Sequence, residues 1–285
     1  MSRTLRRILA IALVVFVTAG LVALGVRELL NRVNLPLAQQ SRCDLPGTGY
    51  SLSTEQAANA ATVTAVAITR KLPQRAAVIA IATALQESKL VNVEHGDRDS
   101  LGLFQQRPSQ GWGTPTQVLD PRYAVGKFYD KLVKVRDWKT RPITQVAQAV
   151  QQSAYPEAYQ QWEDQATVLA RAFSGQSPAA VNCTFPAPTR AATPERIVAL
   201  LTIELPSTAL TTQTSSAEVK PAGWTPTLWL VAKADRLGIE SVSYAGQRWS
   251  RTAGWKQDPT ARQDRVRFVV ANITQTAAPS PQTAG

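Results

Sequence analysis

Residues 76–88 read AAVIAIATALQES, and this stretch decides how the rest of the chain is read. From Ala76 to Leu85 it is apolar on every side except at Thr83, the pattern of a helix buried all round rather than one lying on a surface. Pro73 stands where a proline opens a helix, because its fixed backbone angle suits the first turn and its missing N–H is not needed there. The helix ends on Glu87, and residues 91–117 follow with Gly96, Gly102, Gly111, Gly113, Pro108 and Pro115 and little periodicity. Loops of that length inside a packed domain are usually functional. A carboxyl group emerging from apolar walls loses hydration of its ionised form, so the pKa of Glu87 is expected to rise. It could then stay protonated near neutral pH and serve as a general acid.

Other helices are expected around this one. Ser53-Thr54-Glu55-Gln56 has the form of a capping box, in which a serine hydroxyl and a glutamine side chain satisfy exposed backbone donors, so a helix should run from Thr54 to about Lys71. Three more helical patterns lie near 121–135, 143–153 and 157–173, the last closed by Gly175, and a domain over 51–176 results. Residues 177–193 turn to Pro and Ala, as a linker would, and 194–273 read as a small α+β accessory domain. Its helical patterns lie near 194–203 and 225–237 and its strand-like runs at 239–244 and 265–270, with a flexible tail over 274–285.

Ahead of the first domain, Ile8 to Val26 is an uncharged apolar run close to the ~20 residues that span a bilayer as a helix. Arg3, Arg6 and Arg7 precede it, so the positive-inside rule leaves residues 1–7 as a cytoplasmic tail and sends the rest outside. Residues 27–50, with Pro36, Pro46, Gly47 and Gly49, read as a spacer. A cleaved signal peptide is the alternative, given Ala19 and Gly20, although its apolar core would be shorter. The expected fold class is therefore a transmembrane helix, then a mainly α domain, then a small α+β C-terminal domain.

Composition agrees with a packed, exported protein: 44% of residues are hydrophobic, 18% are charged and the net charge is +11. Such a charge calls for an acidic partner or surface, but no dense basic run with interleaved aromatics follows residue 7, so nucleic acid is not an expected partner. The two cysteines, Cys43 and Cys183, both lie beyond the apolar run, and an even count in an oxidising compartment suggests one disulfide, with two free thiols as the alternative. With His95 as the sole histidine, neither a metal site nor a histidine-based nucleophile is expected, and no phosphate-binding loop or dinucleotide fingerprint is present. No cofactor is expected.

Carboxylates remain. Glu87-Ser88, then Gly102-Leu103-Phe104-Gln105, then Ala154-Tyr155-Pro156 resemble in order the motifs of the lysozyme-like superfamily, shared by soluble lytic transglycosylases and goose-type lysozymes. Residues 100–113 and 151–156 also look like transglycosylase modules of actinobacterial cell-wall proteins and phage tails. The resemblance covers about Ser53 to Gly175 and implies a lysozyme-like domain that cleaves peptidoglycan glycan strands. In it Glu87 would protonate the glycosidic oxygen, while Gln105, Tyr155, Phe104, Ser88 and Asp97 would line or bind the substrate. Pro156 departs from the family's asparagine, so that amide contact is absent.

The resemblance leaves two routes open. A lytic transglycosylase needs Glu87 alone, because the muramic acid's own C6 hydroxyl attacks, whereas a hydrolase needs a second carboxylate to activate water, for which Asp97 and Asp99 are candidates. Both aspartates could instead be serving turns. Phe104, Trp112, Tyr123, Tyr159 and Trp162 could face sugar rings or fill the core. The expected setting is the outer side of a bacterial cell membrane, where the enzyme is held by one N-terminal helix. A non-catalytic wall-binding or scaffold protein is the alternative. The C-terminal domain would contact an envelope protein if Trp224, Trp229, Trp249 and Trp255 prove exposed.

Overall fold

Three helix starts in the first half of the chain are capped by the side chain just before them. In a computed structural model describing residue 20, residues 41–152 and residues 156–273, strands β1 (Arg42–Leu45) and β2 (Tyr50–Leu52) precede helix α1 (Thr54–Thr69). The Ser53 hydroxyl accepts from Gln56 N, and the Gln56 side chain accepts from Ser53 N, so the expected capping box is formed. Helix α2 (Gln74–Ser88) is buried continuously from Ala76 to Leu85, as its composition requires. Its small alanines let α1, α4 and α6 approach closely. Short α3 (Pro115–Val118) leads into α4 (Pro121–Leu132), and α5 (Ile143–Gln151) is followed by a 3₁₀ segment (Pro156–Trp162) and α6 (Glu163–Phe173). The expected 157–173 helix is thus 3₁₀ in its first half.

Strand β3 (Asn182–Thr184), α7 (Pro194–Glu204), β4 (Thr208–Gln213), β5 (Ser216–Lys220), α8 (Trp224–Ala232) and short α9 (Ala234–Leu237) follow. The last four strands are β6 (Ile239–Tyr244), β7 (Gln247–Ser250), β8 (Gly254–Gln257) and β9 (Val266–Val270). They make two antiparallel sheets, one in the order β2-β1-β3 and one in the order β4-β5-β9-β6-β7-β8.

These sheets correct the expected fold class. The described residues form a mixed α+β unit, not a mainly α domain trailed by a small α+β one. The reason lies in segments read as connectors. Residues 42–50, the end of the assigned spacer, form β1 and the start of β2, and the assigned linker contains Val181, Cys183 and Phe185, all fully buried. Cys43 and Cys183 are register partners on β1 and β3 and form the expected disulfide, closing a separation of 140 residues.

The supposed linker is bolted to the second sheet. Trp249 Nε1 donates to Cys183 O (2.9 Å), Trp255 Nε1 to Val181 O (2.8 Å) and Phe185 N to Arg251 O (2.9 Å). Arg251, almost wholly buried, donates to Pro186 O, Ala234 O and Ile239 O and pairs with Asp235 at 2.9 Å, so its charge is compensated on every side. Helix α8 packs against α1 and α6 on one side and against β6 and β9 on the other. A second polar tie joins the two halves, where Lys233 Nζ donates to Thr62 Oγ1 (2.7 Å) and Glu204 Oε1 (2.9 Å).

Two further expectations meet the structure here. Trp229 and Trp249 are buried, and Trp224 and Trp255 are half-buried and edge-packed on each other, so the tryptophans build the core instead of an exposed docking surface. Among the described residues no helix is long and apolar enough to cross a membrane. The anchor assigned to 8–26, the tail over 1–7 and the tail over 274–285 lie outside the described residues, residue 20 apart.

Candidate active site

The last turn of α2 brings Glu87 out of the core at the edge of the glycine-bearing loop. Lys89 caps the helix in the left-handed conformation, which turns the chain sharply away and leaves Glu87 at the mouth of a cavity of about 350 Å³. Asp97, Gln105, Trp112, Gln151 and Gln152 share that cavity. Glu87 is fixed by the Tyr159 hydroxyl, whose Oη donates to Glu87 Oε1 at 2.7 Å, and the Gln151 amide, donating from Nε2 to Phe104 O at 2.6 Å, lines the cavity beside it. Burial pushes the Glu87 carboxyl above its ordinary value, and hydrogen bonding only partly offsets that rise.

The loop is pinned to the helix by small groups. Ser88 Oγ lies 3.1 Å from Ala84 O and 2.8 Å from Leu103 O, so the residue beside the acid ties the helix end to the Gly102–Gln105 turn and does not face the cavity as a ligand. Gly102 N donates to Val93 O (2.7 Å), and Leu101 and Gln106 exchange both backbone hydrogen bonds at 3.0 Å. Gly102 has φ +74°, and a Cβ there would stand 2.7 Å from the Val118 carbonyl oxygen, a backbone atom that cannot swing aside. Gly102→Ala is therefore expected to lower stability by about 1–3 kcal/mol, read as a fall in the urea midpoint. A variant with an unchanged midpoint would show that α3 yields freely to the extra methyl.

Gly96 has a different task. A Cβ on it would fall 1.9 Å from Gln105 Oε1, so its bare backbone is the wall against which the Gln105 amide is set. Gln105 itself sits at φ +48° and donates from Nε2 to Gly102 O at 3.3 Å, a backbone conformation that aims its side chain at the cavity.

The structure separates the remaining sequence candidates. Phe104 is fully buried and stacked on Phe128 (centroids 4.6 Å, 14° between planes), so it supports the loop from within the core and presents no face to a sugar. Asp99 accepts from Arg107 Nε (2.9 Å) and Ser109 N (2.8 Å), which hold its carboxyl well below the usual range; it is a loop clamp. Asp97 lines the cavity with its side chain 90% exposed, and its nearest cation is Arg98 at 4.0 Å. Trp162 donates from Nε1 to Gln86 Oε1 (2.8 Å) and lies under Lys89 Nζ, so it fastens the 3₁₀ segment to α2. Trp112, 5% exposed, walls the cavity beneath Lys131. Tyr155 and Ala154 lie outside the described residues.

Sequence reasoning left Tyr159 open between core and sugar face and included Gln151 in a motif without giving it a role. Their signal was spacing: Tyr159 lies inside a Gln- and Trp-bearing stretch read as α-helical, and the 3₁₀ geometry is what turns its hydroxyl toward α2. The chain matches no protein-family model and no curated protein.

Removing the Tyr159 hydroxyl tests its role directly. Because its hydrogen bond lowers the Glu87 pKa against the raising effect of burial, Tyr159→Phe should move that pKa further up. If Glu87 acts as an acid, activity falls as pH rises through its pKa, so the alkaline limb of kcat/KM should shift to higher pH in the variant. A limb that stays in place, or shifts to lower pH, would remove Tyr159 from the control of that proton.

Proposed function

We propose that this chain cleaves the β-1,4 bonds between N-acetylmuramic acid and N-acetylglucosamine in peptidoglycan strands, with Glu87 as acid and base. The observation that carries this reading is a carboxyl group kept above its ordinary pKa by burial, open to a cavity, and held by the Tyr159 hydroxyl. The motif resemblance of residues 87–88 and 102–105 supports the same substrate class.

The lytic route is the favoured one. Glu87 is the cavity carboxylate with a fixed partner, whereas Asp97 is exposed and Asp99 is consumed by Arg107 and Ser109. Glu87 gives its proton to the glycosidic oxygen as the bond from that oxygen to the muramic C1 breaks. The C6 hydroxyl of the same muramic acid then bonds to C1 and returns its proton to the Glu87 carboxylate, leaving a 1,6-anhydro end and an unchanged enzyme. Gln105, Gln151 and Trp112 would orient the strand in a cavity rich in side-chain amides, which suit acetamido sugars.

A location on the outer side of the cell membrane, with residues 8–26 as anchor, is the sequence reading and would keep cleavage close to newly made glycan. Digestion of purified peptidoglycan with the full chain, followed by mass spectrometry, tests the reaction. Anhydro-muropeptides are the expected products. Reducing ends would establish hydrolysis in their place, and glycan capture without products would make the cavity a binding site only.

A further inference from the structure

The outer face of the six-stranded sheet carries a charge arrangement that the sheet's own stability does not account for. Along β9, Val266, Phe268 and Val270 point into the core, and Arg267 and Val269 point away from it. Following register partners from strand to strand, one outward row runs Glu218, Arg267, Ser243, Arg248, Lys256. Adjacent strands are about 4.8 Å apart, so Arg248 and Lys256 stand directly opposite each other with like charge. Directly opposed like charges destabilise a sheet. Among the described residues neither Arg267 nor Lys256 forms a salt bridge.

The same face is hollowed into a cavity of about 320 Å³, to which Arg262 and Arg265 also contribute. The carboxylates around it are already engaged. Glu218 and Asp264 are paired with Arg265 at 2.8 Å each, Asp264 also with Arg262 at 2.9 Å, and Asp258 accepts from the Thr260 N–H (3.0 Å) and hydroxyl (2.6 Å). These pairings hold the rim rigid. Among the described residues they leave Arg267 and Arg248 without a salt bridge, Arg248 having a 3.2 Å hydrogen bond to Ser241 Oγ, two residues off the row, and the charge of Asp258 nearby. Two guanidinium forks flanking Ser243 match the several acceptor oxygens of a tetrahedral oxyanion better than a single charge would.

We propose that this cavity is a phosphate-binding site, in which Arg248 and Arg267 grip a phosphate group from either side of Ser243 and Lys256 adds the charge at its edge. The ligand class is a phosphate monoester or free phosphate, or the phosphodiester of an anionic polymer or lipid headgroup, and it is separate from the glycan cavity at Glu87.

Calorimetric titration of the full chain at low ionic strength, with inorganic phosphate and with glycerophosphoglycerol as a soluble diester, tests this. Wild type should bind saturably, and Arg248→Gln/Arg267→Gln should bind about tenfold or more weakly. Without ligand that variant should be at least as stable as wild type, because the opposed charges on β7 and β8 are relieved. Tighter binding of the diester assigns the site to a polymer or headgroup, and tighter binding of inorganic phosphate to a monoester or the free ion; both uphold it. Absence of saturable binding to either ligand at millimolar concentration overturns the proposal, as does unchanged affinity in the variant. A ligand-free variant less stable than wild type overturns it too, because the arginines would then be supports of the sheet.

Discussion

Glu87→Gln is expected to reduce peptidoglycan cleavage by about 10²–10⁴-fold while the fold stays intact. The substitution keeps the shape of the side chain and leaves an amide oxygen to accept from Tyr159, but it removes the acidic proton that the proposed reaction requires. Mass spectrometry of the digest should show anhydro-muropeptides from wild type and none above background from the variant. Asp97→Asn separates the two routes: near-wild-type activity fits the lytic mechanism, and a loss as deep as that of Glu87→Gln would give Asp97 the task of activating water.

A stability measurement on the same variant needs no substrate. Glu87 has a folded-state pKa above its unfolded value, so the native state holds the proton more tightly. Its favourable contribution is complete below the unfolded pKa and is lost as pH rises through the folded one. Glu87→Gln should remove that loss. The variant's stability relative to wild type should therefore increase between acid and neutral pH, read from urea midpoints at about pH 4 and about pH 7. A difference that stays flat across that range would mean that burial does not perturb this carboxyl, and the case for it as an acid at neutral pH would fail with it.

The second large effect is expected from Cys43→Ala/Cys183→Ala. The bridge closes a separation of 140 residues, and confining so long a loop in the unfolded chain corresponds to about 4–5 kcal/mol in the entropic account. Domains of this kind are stable by only about 5–15 kcal/mol in total, so the double variant should be marginal or unfolded at 37 °C. Both cysteines are fully buried in the three-stranded sheet, with β1 as its central strand, so the loss should appear as a lower urea midpoint and not as a local change. Reduction of the wild-type bridge should lower the midpoint by a similar amount. A drop below about 1 kcal/mol would show that the strand pairing and the buried Val181 and Phe185 hold this corner without the bond.

The parts of the site that were legible in the sequence are those built by neighbours along the chain. The capping box at Ser53, the buried stretch from Ala76 to Leu85 and the emergence of Glu87 from it depend on contacts within a few residues, and helical periodicity displays them. The glycine-bearing loop was legible as a place for chemistry, but the duties of its residues were not. Ser88 and Phe104 looked like substrate contacts, and each faces the protein because its partner, Leu103 O or Phe128, was already committed to packing there. Tyr159 was ambiguous because a tyrosine that fills the core and one that steers an acid have the same local surroundings. Its hydroxyl meets Glu87 across 72 residues of chain.

By itself, then, the sequence determined where most of the longer helices lie, that the two cysteines had a use, and which carboxylate stands at the end of a buried helix; it did not show the 3₁₀ segment at 156–162 or short α3. Tertiary structure alone decided that spacer and linker are strands of one sheet, that residues 41–273 pack as one mixed α+β unit, and that arginines far apart in the chain share one row. The physical reason is range. A helix satisfies its backbone hydrogen bonds within itself, so its pattern is written locally, whereas a strand of three or four residues has no stable structure without its neighbour. β1 has β2 close by in sequence, but its neighbour on the other side, β3, is 140 residues away.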